Sequence, residues 1–226
     1  MEAIILAGGF GRRLKSVVPD LPKPMAPVNG KPFLQILLET LAFKNFKRIL
    51  LSVHFMADTI KDYFGDSFLG MEIVYVYETL PLGTGGAIRN AFDQSQEEKI
   101  FIFNGDTYID VNVDAMCELW TECHKPVLVG IAVQEVSRYG ALKVRDGYVY
   151  SFSEKGTSGP GLINAGCYLL PKDILNRFEL GVPFSFENDF LRVSMAEESF
   201  MLHEAKGYFI DIGIPEDYLL AQTTLS

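Results

Sequence analysis

Near its start the chain runs Leu6-Ala7-Gly8-Gly9-Phe10-Gly11-Arg12-Arg13-Leu14, with Pro22-Lys23-Pro24 soon after. Glycines without a Cβ let backbone N–H groups approach an anion that a bulkier residue would hold off. Arg12, Arg13 and Lys23 can neutralise several negative charges gathered in a small volume. The phosphate chain of a nucleoside triphosphate has that charge density. The stretch departs from the dinucleotide fingerprint, because Arg12, Arg13 and Leu14 follow Gly11 and the third glycine is missing. It also lacks the Gly-Lys-Ser/Thr ending of a P-loop, so a nicotinamide or ordinary ATPase site is disfavoured. A Gly-rich turn that binds nothing is the plain alternative for this segment alone.

Three further apolar runs end in polar groups. After Tyr77 come Glu78 and then Gly83-Thr84-Gly85-Gly86-Ala87, a Gly-rich entry to a helix whose free N–H groups favour an anionic or polar ligand. Ile100-Phe101-Ile102-Phe103 leads to Asn104-Gly105-Asp106, and Gly207-Tyr208-Phe209-Ile210 leads to Asp211-Ile212-Gly213-Ile214-Pro215. Two carboxylates beside a triphosphate make a natural Mg²⁺ site, since that hard ion takes one or two carboxylates together with phosphate oxygens. The alternative is that each Asp caps a turn.

These groups need elements to position them. Apolar strand-like runs near residues 2–6, 48–53, 72–77 and 99–103 alternate with helix-period segments near 32–45, 55–64 and 84–93. That is the pattern of parallel βαβ units. The second half reads as strands over Val127–Val136, Gly140–Val144, Tyr148–Ser153 and Leu162–Leu170. Helices follow near 171–178, 186–196 and 215–223, with short strands near 199–204 and 207–211. The expected class is α/β: a Rossmann-like, mostly parallel sheet flanked by helices, with a small appended β region. Ligands of such a sheet bind outside the carboxyl ends of its strands, where the four polar clusters fall.

The 226 residues suit one domain spanning 1–226. Twenty basic against 29 acidic residues give a net charge of −9, so no nucleic-acid partner is expected. Cys117, Cys123 and Cys167 form no C-x-x-C pair and read as reduced thiols. Glu2 in the first strand argues against a signal peptide, and no apolar run approaches a membrane span. A cytoplasmic protein with no membrane partner is expected. His54, His124 and His203 are scattered and read as structural or surface groups.

Taken together, Leu6 to Leu14, Pro22-Lys23-Pro24-Met25, Leu82 to Ala87, Gly105-Asp106, Glu154-Lys155, Asn164-Ala165-Gly166 and Asp211 to Pro215 resemble the sugar-1-phosphate nucleotidyltransferases. Within that family the chain looks most like the short D-glycero-D-manno-heptose 1-phosphate guanylyltransferases. The resemblance implies a GT-A-like nucleotidyltransferase fold that joins a nucleoside triphosphate to a sugar 1-phosphate. Pyrophosphate would be released and a nucleotide-sugar made for surface polysaccharide synthesis. It implies that Arg13 and Lys23 are catalytic, and that Leu6, Gly8, Gly9, Gly11, Arg12, Glu78, Gly83 and Thr84 bind the nucleotide. Gly140, Glu154, Lys155 and Asn164 would bind the sugar phosphate, and Asp106 and Asp211 would hold Mg²⁺. One departure is visible: the family's usual Glu-Lys-Pro is here Glu154-Lys155-Gly156.

Base choice turns on Glu78, which stands where pyrimidine-using relatives often have glutamine. A carboxylate accepts two N–H bonds from the N1 and N2 edge of guanine, so GTP is the expected nucleotide. Mannose-1-phosphate guanylyltransferase and glucose-1-phosphate thymidylyl- or uridylyltransferase are alternatives within the family. A catalytically silent regulatory subunit is one of another class, disfavoured by the complete Arg13, Lys23, Asp106 and Asp211 set. A metal-dependent glycosyltransferase is disfavoured because Asp106-Thr107-Tyr108 lacks the second Asp of an Asp-x-Asp pair. The sequence leaves the sugar undecided and a homo-oligomer open.

Overall fold

Ala3, Ile5 and Ala7 pack on one side of the first strand and Ile4 on the other. This is the period-two alternation of a strand buried on both faces. The computed structural model describes residues 1–11, 13–152, 158–197 and 200–225. Its strands are β1 (Glu2–Leu6), β2 (Pro27–Val28), β3 (Lys31–Pro32), β4 (Arg48–Val53), β5 (Ser67–Phe68), β6 (Met71–Tyr77), β7 (Lys99–Asn104), β8 (Thr107–Ile109), β9 (Val127–Val133), β10 (Leu142–Arg145), β11 (Tyr148–Phe152), β12 (Gly161–Pro171), β13 (Phe200–Ala205) and β14 (Phe209–Asp211). The helices are α1 (Phe33–Phe43), α2 (Ala57–Phe64), α3 (Gly83–Asp93), α4 (Val113–Cys123), α5 (Arg192–Glu197) and α6 (Pro215–Thr224), with a π turn at Phe186–Leu191 running into α5.

The central sheet has the order β10-β11-β13-β9-β12-β7-β1-β4-β6-β5. Strands β7, β1, β4 and β6 run parallel, as βαβ crossovers demand. The second-half strands join this same sheet through β12, which pairs antiparallel with both β7 and β9. One face is covered by α1, α2 and α4 through Leu34, Leu38, Ile60, Phe64 and Met116. The other is covered by α3, the π turn and α5 through Ile88, Phe92, Phe186, Phe190 and Met195. Burial of Phe186 and Phe190, about 1.5–3 kcal/mol each, holds the π turn against the sheet. Among the described residues no helix is long and apolar enough to cross a membrane.

Two expectations need correction. Helix α4 was not foreseen between residues 103 and 127. Asn112 caps it by accepting from the Ala115 N–H at 3.1 Å, and Val113 and Met116 are its buried anchors. The expected helix near 171–178 is instead a run of i to i+3 turns, with Ile174 N–H donating to Pro171 O, Asn176 to Asp173 O and Phe178 to Leu175 O. Tertiary anchors override the local tendency there: Lys172 donates its backbone N–H to Glu98 O and its Nζ to Ser95 O, and Phe178 stacks on Phe184.

Candidate active site

The polar clusters meet at one edge of the sheet because the parallel ladder aligns the strand ends. Leu6 lies opposite both Ser52 and Asn104, and Val53 opposite Tyr77. The chain leaves β1 through Gly8, where a Cβ would come within 2.8 Å of Glu78 Oε1 and 3.3 Å of His54 N. Only glycine lets the turn lie that close to the neighbouring loop. Phe10 then packs edge-on against His54, whose Nδ1 is 2.8 Å from Glu78 O. That histidine serves the scaffold, as expected of it.

The two aspartates are brought together by a separate small ladder. Strand β14 pairs with β8 so that Asp211 lies opposite Thr107, and the Ile212 N–H donates to Asp106 O at 2.9 Å. Lys23 Nζ sits between the carboxylates, 2.5 Å from Asp106 Oδ2 and 3.8 Å from Asp211 Oδ1. Burial, then the charge of Asp106, pushes the Asp211 carboxyl above its ordinary range, against the pull of Lys23 and the Gly213 N–H. Two carboxylates converging on one ammonium give a hard, all-oxygen donor pair within reach of a single cation. Such a pair fits a divalent ion that draws its other ligands from phosphate and water.

Two cavities open on either side of this cluster. The first, about 290 Å³, is lined by Leu6, Gly8, Gly9, Lys23, Glu78, Gly83, Thr84 and Asp106, together with Phe10, Pro81, Asn104 and Gly105. The second, about 430 Å³, is lined by Arg13, Gly140, Asn164 and Asp211, with Asn104, Arg138, Tyr139, Tyr168 and Glu187. Gly11 lines neither. Its φ of +56° and a would-be Cβ 3.0 Å from Lys23 Cβ show that it lets the turn close over the lysine. Arg12, Glu154 and Lys155 lie outside the described residues.

Several of these groups also hold the site together. Glu78 accepts from Ser52 Oγ at 2.9 Å and from the Leu82 N–H at 3.0 Å, which shapes the loop into α3. Gly83, at φ +68°, begins that helix where a Cβ would be 2.6 Å from Phe184 O. Asn164 sits at the irregularity of β12, where its Oδ1 accepts from the Gly166 N–H at 3.0 Å and its Nδ2 donates to Tyr168 Oη at 2.6 Å. Arg138 pairs with Asp217, the third residue of α6, and so ties the Tyr139-Gly140 loop to the segment after Asp211.

Sequence reading missed Arg138 and Tyr168 as lining residues and gave Asn104 no role of its own, while the stretch Phe184–Phe190 with Glu187 and Asp189 reads as able to approach the sugar but more naturally as a helix packing its phenylalanines. Asn104 had a signal, since it opens the same strand-end turn as Asp106. Tyr168 had none, because it lies inside an apolar strand.

The family model described as Nucleotidyl transferase matches residues 2–226. The chain is 42% identical over 226 residues to the D-glycero-alpha-D-manno-heptose 1-phosphate guanylyltransferase of Aneurinibacillus thermoaerophilus, covering 100% of this chain and 98% of that one. To the enzyme of the same name from Campylobacter jejuni it is 44% identical over 219 residues, 96% of this chain and 97% of that one. Among solved structures, HddC from Yersinia pseudotuberculosis complexed with GMP-PN is 41% identical and superposes with a TM-score of 0.88 over 100% of this chain and 99% of that one.

Proposed function

The chain belongs to the nucleotidyl transferase family, and from that premise we propose that it transfers GMP from GTP to D-glycero-D-manno-heptose 1-phosphate. The whole of residues 1–226 would act as one nucleotidyltransferase domain in the cytoplasm. The observation that carries this reading is the pair of cavities that meet at Asn104, with Lys23, Asp106 and Asp211 at their junction. A reaction that joins two anions needs two pockets and a charge-neutralising centre between them.

The nucleoside end of GTP takes the first cavity. Gly8, Gly9 and the start of α3 offer backbone N–H groups, Arg12 is a further expected contact, and Leu6, Gly83 and Thr84 line the walls. Glu78 reads the guanine edge with the lone pairs left free by Ser52 and Leu82. The sugar 1-phosphate takes the second cavity beside Gly140 and Asn164, with Glu154 and Lys155 as further contacts. One of its phosphate oxygens attacks the α-phosphorus in line. The new P–O bond forms as the bond to the β-phosphate oxygen breaks, and pyrophosphate leaves. The attacking phosphate is already ionised, so no general base is needed, and no covalent intermediate forms on the protein.

Arg13 and Lys23 hold the reacting phosphates and offset the charge that shifts toward the leaving group. Asp106 and Asp211 are the residues that would hold Mg²⁺. When bound, the ion screens the phosphate oxygens and helps align them.

Pyrophosphate release from a grid of nucleoside triphosphates and sugar 1-phosphates tests the reading. The highest turnover is expected for GTP with the heptose 1-phosphate, and Asp106→Asn should abolish it while leaving the fold intact. Preference for UTP or dTTP with glucose 1-phosphate, or for mannose 1-phosphate, would replace the proposed substrates. Full activity of Asp106→Asn would overturn the metal assignment.

A further inference from the structure

Strand β4 carries one polar residue in an apolar run, Ile49-Leu50-Leu51-Ser52-Val53, and Ser52 is fully buried. In the sheet it lies opposite Leu6 on β1 and Val76 on β6. A hydroxyl in such a place costs free energy unless it is hydrogen-bonded. Its Oγ–H donates to Glu78 Oε1 at 2.9 Å. Glu78 lines the first cavity, and Ser52 stands behind it.

The end of β4 grips Glu78 through its backbone as well. The Glu78 N–H donates to Val53 O at 2.9 Å, and His54 Nδ1 donates to Glu78 O at 2.8 Å. The second carboxylate oxygen, Oε2, accepts from the Leu82 N–H at 3.0 Å. Each oxygen therefore has its own fixed donor, and the plane of the carboxylate is set before a ligand arrives. A carboxylate has about four acceptor positions, so each oxygen keeps capacity for a donor from the ligand. Two acceptors held side by side match a planar edge with two parallel N–H groups, and the fixed side chain adds little ordering cost on binding. The Leu82 N–H restrains Oε2 alone. Without the serine the carboxylate pivots about that bond, and one of the two acceptors turns away from the base edge.

Resting on the function proposed above, we propose that Ser52 is a positioning residue for base selection. Its hydroxyl holds the Glu78 carboxylate in the orientation that receives guanine N1–H and N2–H together, without itself touching the nucleotide. The polarity of the bracket matters as much as its shape. Because the Leu82 N–H can only donate, an amide at position 78 would turn its oxygen there and its NH2 toward Ser52, and the paired acceptors would be lost.

The test compares wild type, Ser52→Ala and Ser52→Thr by pyrophosphate release with GTP and with ITP, whose base lacks the N2 amino group. The wild type is expected to prefer GTP by about tenfold in kcat/KM, the value of one hydrogen bond to a charged group. Ser52→Ala should cut that preference to about twofold or less through a higher KM for GTP, with KM for the sugar 1-phosphate within about twofold of wild type. Ser52→Thr, which keeps the hydroxyl, should retain the preference. A serine that served the sheet alone would, on removal, lower the urea midpoint and leave the GTP-to-ITP ratio unchanged. If Ser52→Ala fails to fold by circular dichroism, Ser52→Cys, with only a weak S–H donor, must show the same fall in the ratio. A wild-type ratio in the folded Ala or Cys variant, or a ratio lost equally in a folded Ser52→Thr, would overturn the role of Ser52 alone. A wild type that uses GTP and ITP equally would overturn the guanine reading at Glu78. One that releases no pyrophosphate with any nucleotide and sugar pair would overturn the transfer reaction, and this role with it.

Discussion

Replacing Asp211 by Asn should stabilise the metal-free protein while removing its activity. The Lys23, Asp106 and Asp211 cluster holds two carboxylates and one ammonium, leaving one negative charge in excess. Asp211 is 30% exposed and Lys23 11%, so the charges are only partly screened. Lys23, 3.8 Å away, attracts the carboxylate with about 4 kcal/mol at an effective dielectric of about 20. Burial and Asp106 together outweigh that attraction, since the carboxyl is pushed up rather than down. The net penalty is a small difference between terms of several kcal/mol, about 1 kcal/mol, the usual gain when a functional site is relieved of strain. Asn keeps an oxygen for the Gly213 N–H, which Asp211 Oδ1 now accepts at 2.7 Å.

For a chain of this size about 1 kcal/mol corresponds to a rise in Tm of about 2–4 °C. Differential scanning calorimetry at about pH 8 without metal measures it. A raised native pKa means the folded wild type takes up a proton before the unfolded chain does, so it regains this stability as pH falls through the native pKa. The advantage of the variant must therefore shrink with falling pH. Mg²⁺ and GTP at about a hundredfold over Kd should then add about 2.7 kcal/mol to the wild type alone. A variant that melts below the wild type at about pH 8, or whose advantage widens on acidification, would refute the reasoning.

Glu78→Gln should lower kcat/KM for GTP by about tenfold while costing about 1 kcal/mol in urea unfolding; unchanged GTP turnover would remove the guanine assignment. Gly83→Ala forces a side chain to φ +68° and a Cβ to 2.6 Å from Phe184 O, and should cost about 1–3 kcal/mol by the same assay. Glu2 is 2% exposed and receives Arg48 together with the Gln96 and Glu97 N–H groups. Glu2→Gln should lower the urea midpoint by an amount equal to about 3 kcal/mol, with KM values unchanged.

The parallel core was legible because Ile4, Ile5, Ile100 and Ile102 carry the unbroken apolar runs of strands buried on both faces. The polar clusters at the ends of those strands then had to share an edge. Less could be read where long-range pairing decides. Nothing local in Asp211-Ile212-Gly213 says that it ladders against Thr107; the sequence pairs the two aspartates only in that each ends an apolar strand, a reading that the resemblance then strengthens. Helix α4 escaped notice because only Val113 and Met116 of its eleven residues are fully buried. Segment 171–178 misled for the opposite reason: its helical composition is overridden by Lys172 bonds to the loop before β7. Glu187 was visible within a phenylalanine-rich stretch, but its bond to Thr84 spans 103 positions of sequence.

Asn104 borders both cavities, and that shared wall has a consequence for the product. On the proposed reading, a nucleoside diphosphate sugar is a two-headed ligand whose pyrophosphate tether straddles this residue. Once either head is seated, the other is held nearby at a local concentration of about millimolar, the usual figure for a short link. The finished compound would then compete with each starting material at once and leave slowly. Inhibitors shaped like it should gain the same avidity, and widening the Asn104 wall should weaken them more than either half alone.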